Sequence, residues 1–157
     1  MSVKSQETNM RRLADLLSQD LGYIWGAREC GPNGAKKTFL NLGKVFLRAL
    51  SKDLGLRDAK VTSSPGGIAV SGDCSLIGMW ENSGIDICLG QLLSDKRTVL
   101  MYRTARNLRD YTGGHNNFLT LEDLRKLSYS ELLEKLGALR KGGSSYERRD
   151  SRHDRAA

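Results

Sequence analysis

Apolar residues return every three or four positions from Gln6 to Leu21, so that Met10, Leu13, Ala14, Leu17 and Leu21 share one face of an amphipathic helix. Gly31-Pro-Asn-Gly34 then supplies residues that favour turn dihedrals and stop a helix, which predicts a loop. A second helix is expected over Thr38 to Asp53. It turns Phe39, Leu42, Phe46, Ala49 and Leu50 inward and lines its other side with Lys37, Asn41, Lys44, Arg48 and Lys52. No acidic residue occurs between Lys36 and Lys52. The intrahelical ion pairs that usually neutralise an exposed helix face are therefore missing, and the outer stripe is cationic.

After Asp58 the periodicity changes to two. Ala59 to Thr62 reads as a short strand, Ser64-Pro-Gly-Gly67 as a turn, and Ile68, Val70, Cys74, Leu76 and Trp80 as one face of a long strand. Gly72 and Gly78 fall on that same face, which predicts a bulge near Gly72 and a helix packed closely at one of the two. Glu81-Asn-Ser-Gly84 makes the reversal, and Ile85, Ile87 and Leu89 alternate in the returning strand. With Asn82 and Ser83 as the two loop residues, Ile85 opposes Trp80 and Leu89 opposes Leu76. Thr98 to Tyr102 adds another strand.

Two hydroxyl and carboxylate pairs, Thr120 with Asp123 and Ser128 with Glu131, have capping-box spacing and mark helix starts; Leu132, Leu133, Leu136 and Leu139 form the apolar side of the second helix. The fold expected is α+β and two-layered. A meander of about four antiparallel strands packs against two N-terminal helices and one C-terminal helical segment.

Composition narrows this picture. A chain of 157 residues with 39% hydrophobic content fills one core, so residues 1–141 are read as a single domain. Residues 142–157 have almost no apolar content and read as a disordered basic tail. The net charge of +7 favours polyanionic or acidic partners. The tail holds four arginines against three acids, so six of those charges belong to the body. Cys30, Cys74 and Cys88 lack metal-ligand spacing and are expected to be buried thiols of a reducing cytoplasm. The N-terminus lacks the apolar core of a signal peptide, and no apolar run reaches the roughly 18 residues of a membrane span. A cytoplasmic protein with no membrane partner is expected.

Candidate chemistry concentrates in Lys96 to Arg109, which contains Lys96, Arg97, Arg103, Arg106 and Arg109 and no acid. Arginine forks suit phosphate or carboxylate, and Tyr102 and Tyr111 offer stacking faces. Arg103, Arg106 and Arg109 are expected to face outward together without carboxylate partners, joined by Lys44, Arg48 and Lys52, with His115 and Tyr111 as contact residues. His115 in Gly113-Gly-His-Asn-Asn117 is the one place for a catalytic base, in a hydrolase or nuclease that would need a metal. With two histidines in the chain and no repeated ligand spacing, the loop reads instead as a tight connector. Asp73, Glu81 and Asp86 read as solvent-facing carboxylates, and Trp25 and Trp80 as packing residues. No cofactor motif is present.

Pro65-Gly-Gly through Ser71-Gly72, with Tyr102-Arg-Thr and Tyr111-Thr-Gly-Gly-His-Asn-Asn117, resembles small proteins carried by plasmids, integrative elements and phages. The resemblance covers about the middle third of the chain. It implies an accessory role in a mobile element's encounter with its host and brings no active site to transfer. The expectation is a non-enzymatic binding protein that engages nucleic acid or a nucleoprotein complex. The alternative is a protein inhibitor of a host defence effector, of the anti-CRISPR kind. An exposed sheet edge leaves room for a homodimer.

Overall fold

The computed structural model describes residues 2–22, 34–67, 69–109 and 114–141. Expectations for Trp25, Cys30, Ile68, Tyr111, Gly113 and the segment 142–157 lie outside those residues. Among the described residues the chain runs α1 (Val3–Leu17), α2 (Ala35–Asp53), β1 (Arg57–Ser64), β2 (Asp73–Met79), β3 (Gly84–Gly90), β4 (Thr98–Ala105), β5 (Asn117–Thr120), α3 (Leu121–Lys126) and α4 (Tyr129–Lys141). The strands form one antiparallel sheet in the order β1-β2-β3-β4-β5. The α+β meander is as expected, with five strands rather than four. The fifth is only four residues long and leads directly into the Thr120 cap of α3, too short to announce itself by alternation.

Both capping boxes form. Thr120 accepts from the Asp123 amide while Asp123 accepts from the Thr120 amide, and Ser128 and Glu131 exchange the same two bonds. These bonds satisfy orphan amides at the starts of α3 and α4 and set the angle at which the C-terminal helices leave the sheet.

One apolar face of the sheet and the inner stripes of the helices share a core. Met10, Leu13 and Leu17 of α1, Phe39, Phe46, Leu47 and Leu50 of α2, and Leu76, Ile87, Leu89 and Leu100 of the sheet are fully buried. A polar network ties the helices together beneath it. The Gln6 amide donates to the Phe46 carbonyl and to the Tyr129 hydroxyl, which in turn donates to Asp53; the Tyr129 amide donates to Glu7. Tyr129 sits edge-on to Phe46 at 6.4 Å between ring centroids.

The β2–β3 register differs from the expected one by two residues. Leu76 pairs with Ile87, Cys74 with Leu89 and Gly78 with Ile85. Trp80 leaves the ladder to donate its indole N–H to the Leu54 carbonyl at 2.7 Å, and its amide closes the loop on the Ser83 carbonyl, also at 2.7 Å. A slip of two keeps every side chain on its face, so the apolar alternation survives the shift.

The long strand also starts later than predicted. Val70 is exposed, and Gly66 and Gly72, both at positive φ, turn the chain before Asp73. The irregular pairing expected near Gly72 lies instead in β1 between Arg57 and Lys60, where Asp58 takes φ 54°. Nor does a helix press on Gly72 or Gly78: their Cβ space is filled by Ser64 and Pro65, and by Leu56 and Ala59. The close helix contact is made from the other side, where Gly43 of α2 meets Cys74 of β2. A Cβ at position 43 would stand 2.5 Å from the Cys74 sulfur.

This contact predicts a sign change. Gly43→Ala gains about 1 kcal/mol of helix propensity but overpacks the core by about 1–3 kcal/mol, for a net loss in the native background. In a Cys74→Gly background, which removes both the sulfur and the Cβ that would stand 3.2 Å away, only ordinary contact with Leu89 at 3.6 Å remains, and the same substitution stabilises by about 1 kcal/mol in urea unfolding.

Candidate nucleic-acid interface

Two surfaces carry the candidate residues, and they lie on opposite layers of the fold. The first is the sheet face turned away from the helices. Alternation places Asp73, Ser75 and Ile77 of β2, Asp86 and Cys88 of β3, and Met101 and Arg103 of β4 on it. Ser75, Ile77, Asp86, Cys88 and Met101, with Lys60 and Thr62 of β1, line a groove of about 360 Å³ there. Phe118 of β5 pairs with Met101 and is 48% exposed.

Arg103 is not a free outward arginine. It sits opposite Asp86 in the β3–β4 ladder, with its Nε 3.2 Å from the Asp86 carboxylate, and both side chains are mostly buried. The cause is the pleat: cross-strand partners on one face stand close enough for a charge-assisted bond. Asp86 likewise departs from the solvent-facing reading, because it lies near the middle of the sheet with 9% of its surface exposed. Burial raises its pKa above the usual carboxylate value, and the charge and hydrogen bond of Arg103 pull it part of the way back. Asp73 shares this face, as expected, and is also raised by burial.

Cys74 and Cys88 are held as neutral thiols. Burial, reinforced by Asp73, pushes Cys74 up to about 12 and Cys88 up to about 11. Cys74 donates to the Leu40 carbonyl, whereas Ser75 donates to the Cys88 sulfur.

Arg106 and Arg109 follow the end of β4 and are exposed, so they do not share the strand position of Arg103. Arg106 is engaged by a neighbour. Upstream, Lys96 pairs with Asp20 at 3.5 Å and Arg97 with Glu122 at 3.8 Å. The arginine segment is thus divided among a strand, a turn and two surface ion pairs. His115 is exposed, and its carbonyl accepts from the Asn117 amide, which also donates to the Tyr102 carbonyl. Asn117 therefore holds the connector by capping backbone groups. Gly114 is required there because the Thr104 carbonyl would lie 2.5 Å from a Cβ. Among the described residues no group of three potential metal ligands occurs.

The second surface is the outer flank of α2. Leu40 binds Cys74 through its carbonyl, and Lys44, one turn later, lies close enough for its charge to oppose the rise of the Cys74 pKa. Arg48 and Lys52 continue the same row at successive turns, and Lys37 precedes it. Lys44 is half-buried while Lys37, Arg48 and Lys52 are exposed. None of the four has an ion-pair partner among the described residues. The predicted cationic stripe, Lys37 included, is present as a row of charges unpaired among the described residues.

The chain matches no family model, no curated protein and no solved structure. No helix among the described residues is long and apolar enough to cross a membrane.

Because folded Asp86 holds its proton more tightly than an unfolded aspartate, this group contributes stability that is lost as pH rises from 3.8 through its raised pKa. Arg103→Ala raises that pKa further and extends the loss to higher pH, lowering neutral-pH stability by up to about 3 kcal/mol. Urea unfolding across pH should show the added slope in Arg103→Ala and its removal in Arg103→Ala/Asp86→Asn. Identical pH profiles for the native and Arg103→Ala proteins would contradict the assignment.

Proposed function

We propose that this chain is a non-enzymatic binding protein that engages nucleic acid, alone or within a nucleoprotein complex, through the outer flank of α2. The observation that carries this reading is the row Lys37, Lys44, Arg48 and Lys52, which has no carboxylate partner among the described residues. Unpaired cations in a fixed row release condensed counterions when they meet a phosphate backbone, which gives salt-dependent affinity. Arg109, exposed beyond β4, adds to the attraction, whereas Arg103 belongs to the sheet through Asp86. The setting proposed for such binding is an accessory role in a mobile element's encounter with its host.

A protein partner on the open sheet face is the second reading. The exposed Phe118 beside Met101 supports it, and inhibition of a nucleoprotein defence effector would be its setting.

For the main reading, Lys44→Ala/Arg48→Ala/Lys52→Ala should weaken binding to labelled DNA in an anisotropy titration. It should also reduce the slope of log affinity against log salt by up to about 3, while Arg103→Ala leaves that slope in place. An unchanged slope in the triple variant would refute the site.

A further inference from the structure

The positive charge and the exposed aromatic surface lie on different layers of this fold, and that separation bears on which nucleic acid the protein takes. A single strand is held by a cationic groove that also offers aromatic faces for unstacked bases. The solvent side of α2 presents Lys37, Thr38, Asn41, Val45, Arg48 and Lys52 and has no aromatic residue. The exposed aromatic among the described residues, Phe118, lies on the open sheet face. There Arg57 and Lys60 of β1 and Arg103 of β4 share the surface with Asp73 and Asp86. Its charges are mixed in sign and Arg103 is already committed to Asp86, unlike the acid-free row on α2.

From these placements, and resting on the nucleic-acid reading above, we infer that the ligand is double-stranded DNA, with the solvent side of α2 laid along the major groove and its cations on the flanking phosphates. Lys37 and Lys52 are separated by about 22 Å along a rigid helix, the rise of fifteen residues. That span matches about six or seven base steps of a duplex, whose phosphates keep a fixed spacing that an isolated strand does not. An α-helix also fits the wide major groove of B-form DNA, whereas the deep, narrow major groove of A-form RNA excludes side chains. Phosphate contacts position the protein without reading bases, so affinity is nearly independent of sequence.

The test uses the full chain and four probes: two DNA duplexes of about 20 base pairs with unrelated sequences, one of their isolated strands, and an RNA duplex of matching sequence; each duplex is roughly three times the span of the stripe. Both DNA duplexes are expected to bind within about twofold of each other and about tenfold or more tighter than the strand or the RNA duplex. Lys37→Gln/Lys44→Gln/Arg48→Gln/Lys52→Gln, which keeps helix-compatible side chains, should reduce the salt slope on DNA duplex by about 3–4, and Phe118→Ala should change nothing. Preference for the strand or the RNA duplex, or loss of binding in Phe118→Ala, would overturn the inference while leaving nucleic-acid binding intact. Binding to none of the four probes would remove the functional reading itself.

Discussion

The contact between Gly43 of α2 and Cys74 of β2 sets the geometry on which the remaining features depend. With no side chain at position 43, the helix backbone comes down against the strand, and the Cys74 thiol completes the contact by donating to the Leu40 carbonyl. Once that line of approach is set, the helical period does the rest. Phe39, Phe46, Leu47 and Leu50 are driven into the core, and Lys37, Lys44, Arg48 and Lys52 are left along the outer flank. A bulkier residue at the contact would lift or rotate α2 and redistribute those charges. Core packing and surface electrostatics are two results of one close approach.

The sheet divides its work between its faces in a related way. Its inner face is continuous with the helical core, and none of the described helices covers its outer face, where polar groups satisfy one another across the strands. Asp86 and Arg103 do so as a cross-strand pair, and the pair adds a specific electrostatic preference to the β3–β4 register that apolar alternation alone leaves open to slips of two. The same arginine cannot be the leading member of an outward patch. Its charge is already committed to a buried carboxylate that would otherwise be costly to keep in the sheet.

Much of the fold was readable from local signals. The apolar periods of α1 and α2, the capping boxes of α3 and α4 and the alternation of β2 and β3 each rest on interactions between residues near in sequence. What escaped needed knowledge of distant neighbours. The Trp80 indole leaves the ladder because Leu54 offers it a carbonyl, and Gly43 rather than Gly78 accepts the close packing of helix on sheet. For the site, the stripe on α2 was visible because an absence of acids over a helical segment is a sequence property. The commitment of Arg103 was not, since Asp86 becomes its partner only once the pairing of two strands is known. Charge runs in strands are harder to read than those in helices for this reason: a strand's electrostatic partners lie across the sheet.

The most direct measurement of the central claim is an amide chemical-shift map of the intact protein titrated with a short DNA duplex. The account predicts that perturbations concentrate on Lys37, Asn41, Lys44, Arg48 and Lys52 of α2 and leave Ser75, Ile77, Asp86, Met101 and Phe118 of the open sheet face unmoved. Perturbations centred on the sheet face, with α2 silent, would contradict it.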